Sequence, residues 1–141
     1  HEQAWLANTQ TGGTSLMMSP NGLWSINFFN RRIADASLGY ARVLSDRPGI
    51  LLQKTHLAGV IDLPRKELRL YVDGQEQSQK VSLLGQHVTS GLSFLLGVDP
   101  KSEGVPDQYF AAGKLHRVRI SKTARYIVLA GLTEAVAWGW T

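Results

Sequence analysis

The segment that most restricts what this chain can fold into is residues 56–74, with the sequence HLAGVIDLPRKELRLYVDG. Its second half alternates apolar and polar side chains, the period of two that is typical of a β-strand with one buried face. Asp73-Gly74 follows, and a type I′ hairpin turn needs positive φ at both central residues. The first half, residues 57–61, is apolar on both faces and precedes a short polar link with a proline. The pattern therefore predicts an antiparallel β-meander.

The alternation also assigns a face to each side chain of this strand and of a later alternating segment, residues 109–121. The side chains that we expect in one common core are Leu68, Leu70, Val72, Val118 and Ile120. The side chains that we expect to be at least partly exposed are Arg69, Tyr71, Arg117 and Arg119.

Composition favours a single all-β domain. The chain has 141 residues, 14 glycines, only 18% charged residues and no cysteine, which excludes disulfides and thiolate metal sites. Further strands are predicted at residues 2–7, 14–19, 23–30, 40–44, 75–83 and 92–98. Hairpin or turn chemistry is predicted at residues 8–13, 20–22 and 45–49.

The charge pattern argues against nucleic acid and against a membrane span. The formal net charge is +4, but the basic residues are scattered and no aromatic-rich RNA motif accompanies them. The longest lightly charged run, residues 126–140, is interrupted by Glu134 and is shorter than the ~20 residues that a membrane helix needs.

Two motifs resemble a known family. The first is H-x-A-x-x-x-D followed by LRLYVDG, and the second is Leu95-Leu96-Gly97 followed, after a polar loop, by YFAAGKLHRVRI at residues 109–120. Together they resemble laminin-G-like (concanavalin A-like) jelly-roll domains. The resemblance implies an antiparallel β-sandwich, here a single domain over residues 1–141 with its core in residues 14–125.

Such domains usually carry further strands before the position that corresponds to residue 1, so the resemblance implies a sandwich without its N-terminal strands and with an open sheet edge. We expect residues 126–141 to form either a closing element over this edge or a tail. Otherwise the edge pairs with a second copy of the chain or with a partner fragment.

The resemblance further implies a non-catalytic binding module for a glycan or a protein surface, within a larger exported or cell-surface protein, in the extracellular space or periplasm. Exposed aromatic rings can stack on sugar rings, and the alternation turns Tyr71 outward. The expected ligand-binding residues are Tyr71, Tyr40, Tyr109 and Arg69.

A calcium site is a further expectation, because some laminin-G-like domains bind Ca²⁺ at the rim of the sandwich through carboxylates and carbonyls. The polar loop at residues 99–108 supplies three acids, and one more ends a predicted strand. The expected ligands are Asp99, Glu103, Asp107 and Asp62. Acidic residues also favour turns for purely conformational reasons, which is the alternative.

Two other function classes remain open from the sequence. One is a polysaccharide-active enzyme, although no pair of carboxylates two residues apart on one strand is present, as many glycosidases of this fold have. A copper enzyme with His1 as ligand belongs to the same class, but the surrounding sequence resembles no such enzyme. The other class is a structural or assembly spacer.

Overall fold

The computed structural model describes residues 4–9, 14–31, 38–50, 52–83, 86–87, 94–97, 113–121 and 124. Within these residues the chain forms ten β-strands and no helix. The strands are β1 (Ala4–Thr9), β2 (Thr14–Met18), β3 (Leu23–Arg31), β4 (Leu38–Pro48), β5 (Leu57–Asp62), β6 (Glu67–Val72), β7 (Gln75–Glu76), β8 (Val81–Ser82), β9 (Gln86–His87) and β10 (Phe94–Leu96). No helix in this part of the chain is long and apolar enough to cross a membrane.

The strands form two antiparallel sheets. The larger sheet has six strands in the order β10-β1-β2-β3-β4, with β9 also pairing with β3. The smaller sheet has four strands in the order β5-β6-β7, with β8 also pairing with β6. Strands β3 and β4 of the larger sheet contact β6 of the smaller one. The predicted antiparallel all-β sandwich is thus confirmed.

Both hairpin turns that the sequence predicts most strongly are present. In the β2–β3 turn, the Gly22 N–H donates to the Ser19 carbonyl at 2.9 Å, and Gly22 has a φ of 79°. In the β6–β7 turn, Asp73 and Gly74 have φ values of 49° and 80°, as a type I′ turn requires. Local backbone chemistry therefore determines these two reversals of the chain.

The core lies between the two sheets. Its buried side chains are Leu16, Ile26, Phe28, Ala41, Val43, Leu57, Leu68, Leu70 and Leu83. Leu68 and Leu70 are buried as predicted, and Val72 is partly buried against the same cluster. Gly59 faces this core directly opposite Ile26, whose side chain occupies the space where a Cβ of residue 59 would lie. The two sheets therefore approach closely at Gly59.

The expectation that the other face of β6 meets water is wrong. Tyr71 is only 3% exposed and Arg69 only 6% exposed. Tyr71 forms a second buried cluster with Ala58 and Val60, against which Ala124 packs. The alternation identified the two faces of the strand correctly, but β6 is a central strand that is covered on both of them.

The expectation that Val118 and Ile120 lie in the core is also wrong. Both side chains are exposed, Ile120 by 69%. Residues 114–120 form no strand in the structure, and alternation assigns a buried face only to a segment that is paired into a sheet. Arg117 and Arg119 are exposed, as predicted.

Several strands differ in their bounds from the sequence prediction, and β1 runs to Thr9, into the predicted turn at residues 8–13. The returning strand after the Asp73-Gly74 turn is two short strands, β7 and β8, because residues 77–79 turn aside to bond to β4. Strand β4 is longer than predicted and runs to Pro48. A short strand, β9, lies between the strands predicted at residues 75–83 and 92–98. The predicted closing element at residues 126–141 lies outside the described residues and stays a prediction.

Candidate functional site

A cleft of about 480 Å³ opens where β4 ends beside the β6–β7 hairpin. One wall carries the indole of Trp24, at the start of β3, and the side chain of Val72. The polar side chains of the lining are Asp46, Arg47, Gln53, Thr55, Asp73 and Gln75. The cleft therefore combines an aromatic surface with amide, hydroxyl, carboxylate and guanidinium groups.

The position of the Trp24 indole, which forms one wall of the cleft, is fixed by a close contact with the loop after β4. A Cβ at Gly49 would lie 2.9 Å from the Cε2, Cζ2 and Nε1 atoms of Trp24, so only a glycine lets the backbone approach the ring this closely. The Gly49 N–H donates to the Gly22 carbonyl at 2.9 Å, which ties this loop to the β2–β3 turn. The Trp24 N–H donates to Ser45 Oγ at 3.0 Å. These contacts hold the half-buried indole at the edge of the cleft.

The second wall of the cleft is formed by the β6–β7 hairpin, and hydrogen bonds of Asp73 fix its position. The Asp73 N–H donates to the His56 carbonyl at 2.7 Å, and its Oδ1 accepts the His56 backbone N–H at 2.8 Å. These two bonds tie the start of β5 to the hairpin and place the neighbouring Thr55 and Gln75 at the cleft. Burial lowers the pKa of the His56 imidazole, and the charge of Asp73 opposes this shift. The His56 side chain is therefore neutral at pH 7 and adds no charge beside the cleft.

A set of side-chain bonds joins the two walls. Gln77 Oε1 accepts the Asp46 N–H at 2.8 Å, and Gln77 Nε2 donates to the Gln75 carbonyl at 3.0 Å. The Asp46 carboxylate accepts the Ser78 N–H at 3.0 and 3.1 Å, and it also accepts the Ser78 hydroxyl. Gln77 is buried, whereas Asp46 and Ser78 are exposed, and together these bonds connect the end of β4 to the segment after β7.

This geometry suits recognition of a polar ligand more than chemistry on it. Sugar rings present one apolar face and a rim of hydroxyls, which match an indole surrounded by hydrogen-bond donors and acceptors. The two carboxylates of the cleft are already engaged, Asp46 by Ser78 and Asp73 by the His56 N–H. Among the residues that the structure describes, no three His, Asp or Glu side chains are grouped to hold a metal ion.

Three of the residues predicted from the sequence meet elsewhere, on the second face of β6. Arg69 Nη2 donates to Asp62 Oδ2 at 3.3 Å, and Arg69 Nη1 donates to the Tyr71 hydroxyl at 3.3 Å. The Tyr71 hydroxyl donates to Glu76 Oε2 at 3.1 Å, and the Lys80 ammonium lies 3.0 Å from Glu76 Oε1. The structure thus brings Asp62, Arg69 and Tyr71 together as a buried polar chain, and neither Arg69 nor Tyr71 presents a surface for a ligand.

The Asp62 carboxylate has ion-pair partners of its own. It accepts the Arg65 Nη1 at 2.9 Å and the Arg65 N–H at 3.1 Å, in addition to Arg69. Burial by itself raises the pKa of this carboxyl, but the hydrogen bonds from Arg65 and the charges of Arg65 and Arg69 outweigh burial and hold the pKa below its usual value. A calcium ion at Asp62 would have to displace these guanidinium groups.

The side chains of the other predicted site residues lie outside the part of the chain that the structure describes. Tyr40 lies in β4, where it pairs with Phe29 of β3, and its side chain lies outside the described part of the chain. Tyr109 lies outside the described residues. The same is true of the three predicted calcium ligands in the polar loop, Asp99, Glu103 and Asp107. Their roles therefore stay predictions.

Sequence reasoning missed the cleft residues. Trp24 lies in the strand predicted at residues 23–30, where it packs against the core and also lines the cleft. Residues 45–49 were predicted only as a turn, whereas β4 runs to Pro48 and its end lines the cleft. Gln75 and Gln77 carry no signal that distinguishes them from other strand residues.

Two facing antiparallel sheets define this chain as a β-sandwich domain, and the cleft lies beside the β6–β7 hairpin. The sequence matches a laminin-G-type family model, described as the concanavalin A-like lectin/glucanases superfamily, over residues 1–126. The chain belongs to this superfamily, whose domains commonly bind carbohydrate or protein. A search of curated protein sequences and a search of solved structures each find no match.

Proposed function

We propose that this domain is a non-catalytic carbohydrate-binding module and that the cleft beside Trp24 is its binding site. The observation that carries the proposal is the placement of the Trp24 indole among polar side chains from two separate loops. A pyranose ring that stacks on the indole would find hydrogen-bonding groups of Arg47, Gln53 and Gln75 around its hydroxyls. Superfamily membership supports the same ligand class.

The state of the two cleft carboxylates supports binding without hydrolysis. A glycosidase needs one carboxyl group as a proton donor and a second as nucleophile or base. The hydrogen bonds that Asp46 and Asp73 accept from Ser78 and His56 give each of them a structural role. We therefore expect no hydrolytic activity from this cleft.

The cellular context is part of the same proposal. Laminin-G-like domains are often extracellular, and we propose that this domain serves a larger exported or cell-surface protein. In that setting its ligands would be glycans of a cell surface or of an extracellular matrix.

A glycan-array screen tests the proposed site. Arg47→Ala and Gln75→Ala each remove an exposed cleft side chain, and neither residue is part of the core. Arg117→Ala removes another exposed arginine, which lies outside the cleft lining, and is the matched control. Loss of one ligand hydrogen bond should weaken binding by about tenfold, whereas the control should bind like the wild type.

The array result distinguishes the three function classes. A glycan bound by the wild type and by Arg117→Ala, but weakly by both cleft variants, supports the proposal. Binding that is unchanged in the cleft variants would place the site elsewhere. The absence of any bound glycan would favour a protein ligand or a spacer, and release of shorter sugars would favour an enzyme.

A further inference from the structure

The carboxylate of Asp73 has one oxygen atom that the fold does not use. Its Oδ1 accepts the His56 backbone N–H at 2.8 Å. Within the part of the chain that the structure describes, its Oδ2 accepts no hydrogen bond and takes part in no ion pair. Asp73 is exposed and lines the cleft. A charged hydrogen-bond acceptor is therefore available to a ligand there.

The hairpin fixes the position of this carboxylate. Asp73 and Gly74 have φ values of 49° and 80°, and the Asp73 N–H donates to the His56 carbonyl at 2.7 Å. The side chain is thus held through its own backbone and through Oδ1. Because Oδ2 is already in place before a ligand arrives, binding costs little ordering of this group.

The chemistry of a carboxylate decides which ligand groups it can bind. An ionised carboxylate only accepts hydrogen bonds, and bonds to a charged acceptor are stronger than those between neutral groups. Thr55 and Gln75 line the cleft beside Asp73, and the Trp24 indole forms the other wall. A sugar ring on the indole carries hydroxyl donors at its rim, whereas a sulfate ester or a uronate carboxylate offers no proton to Oδ2.

The same oxygen acts against anionic ligands. A sulfate or uronate group beside Asp73 would meet a like charge, and no cation of the described residues pairs with this carboxylate. Asp46 adds a second exposed carboxylate to the lining, in which Arg47 is the one cation among the described residues. The formal charge of +4 on the whole chain would by itself attract anionic glycans. Local and overall charge therefore predict opposite preferences.

We propose that Asp73 binds a ligand hydroxyl through Oδ2 and restricts the cleft to neutral glycans with unsubstituted hydroxyl groups. This inference rests on the proposed glycan-binding function and names the ligand class of the same site. Asp73 then has two roles, since Oδ1 holds the hairpin and Oδ2 selects the ligand.

Calorimetric titration with matched pairs of glycans tests the proposal. Galactan oligosaccharides are compared with a sulfated galactan and with oligogalacturonate, at about 0.15 M salt, which screens the overall charge of the chain. Neutral glucan and mannan oligosaccharides extend the neutral set.

Asp73→Asn is the variant that isolates the role of Oδ2. Asparagine has the same shape, tolerates the left-handed backbone and keeps an oxygen that can accept the His56 N–H, but it replaces the charged acceptor by an N–H donor. Glu67→Gln is the matched control, because it removes a carboxylate outside the cleft lining, at the other end of β6 from the hairpin. Thermal melting of all three proteins verifies that each is folded.

We expect the wild type and Glu67→Gln to bind a neutral oligosaccharide about tenfold more tightly than its anionic counterparts. Asp73→Asn should bind the neutral ligand about tenfold more weakly and should lose most of this preference. The comparison within the wild type tests the ligand class even if the variant fails to fold. Tighter binding of the anionic glycans by the wild type, or unchanged affinities in a folded Asp73→Asn variant, overturns this inference and leaves the proposed function standing. If no glycan of either kind binds, both are overturned.

Discussion

Gly49 lies so close to the indole of Trp24 that a Cβ at position 49 would stand 2.9 Å from three of its ring atoms. The two residues belong to different elements, and their contact sets the position of the aromatic wall of the cleft. Since the ring also packs against the core, it has little freedom to move aside.

The first prediction follows from this contact. Gly49→Ala should displace the indole, destabilise the domain by about 1–3 kcal/mol and weaken binding of any glycan that stacks on Trp24. Urea denaturation and near-UV circular dichroism measure the two structural effects. Gly113→Ala is the control, because nothing lies within 4 Å of a Cβ there. Equal stability and equal spectra for the two variants would show that the loop after β4 moves enough to accommodate the added methyl group.

The second prediction concerns the close approach of the sheets at Gly59. A Cβ at this position would collide with Ile26 Cδ1 and lie 3.1 Å from Cγ1, inside the buried core. Gly59→Ala should therefore lower the free energy of unfolding by about 1–3 kcal/mol. The double variant Gly59→Ala, Ile26→Val removes the colliding methyl group and should recover part of the loss. A double variant less stable than the sum of the two single changes would contradict this explanation.

The third prediction separates burial from hydrogen bonding at Tyr71. Tyr71→Ala should cost about 3–5 kcal/mol, as truncation of a buried aromatic ring does. Tyr71→Phe keeps the ring but removes the hydroxyl between Arg69 and Glu76, and it should cost about 1–3 kcal/mol. Denaturant midpoints of both variants measure the difference. A negligible loss for Tyr71→Ala would mean that the ring faces water, as the alternation alone predicted.

The fourth prediction is a loss of stability in acid that depends on Asp62. Its pKa in the folded state is lower than in the unfolded chain, where an aspartate titrates near ~3.9. The unfolded chain therefore binds the proton first, and the stabilisation is present above about pH 3.9 and is lost as the pH falls through the lower folded-state pKa. Urea midpoints of the wild type should fall in this range.

Asp62→Asn tests the assignment of this acid transition. The variant should be less stable than the wild type at pH 7, because Arg65 and Arg69 lose their anion while Arg69 stays buried. The difference between the two proteins should shrink as the pH falls below the usual pKa of an aspartate. A constant difference across this range would assign the transition to other carboxyls.

The fifth prediction retains the calcium site of the polar loop. If Asp99, Glu103 and Asp107 bind Ca²⁺, the ion should raise the melting temperature, because it binds only the folded state. Asp107→Asn should reduce this increase. Thermal scans in calcium and in a chelator provide the measurement. Identical scans would mean that the acids are ordinary turn residues.

Much of the strand architecture was predictable, because it depends on neighbouring residues. The Asp73-Gly74 turn follows from the positive φ that both residues adopt, and the Pro20-Asn21-Gly22 turn follows from similar local chemistry. The alternation in β6 placed Leu68 and Leu70 on one face, and that face does meet the core. The alternation of apolar and polar residues and the residue preferences of turns act over a few residues, so both can be recognised from the amino-acid sequence alone.

What only the tertiary structure decided is which distant segments cover a face or complete a site. The alternation that placed Arg69 and Tyr71 on one side of β6 carries no information about what packs on that side, and they are buried. The cleft likewise depends on bonds between Asp46 and Gln77, more than thirty residues apart. Such contacts form because two sheets pack around a common core, and pairing between sheets leaves no periodic mark in the sequence.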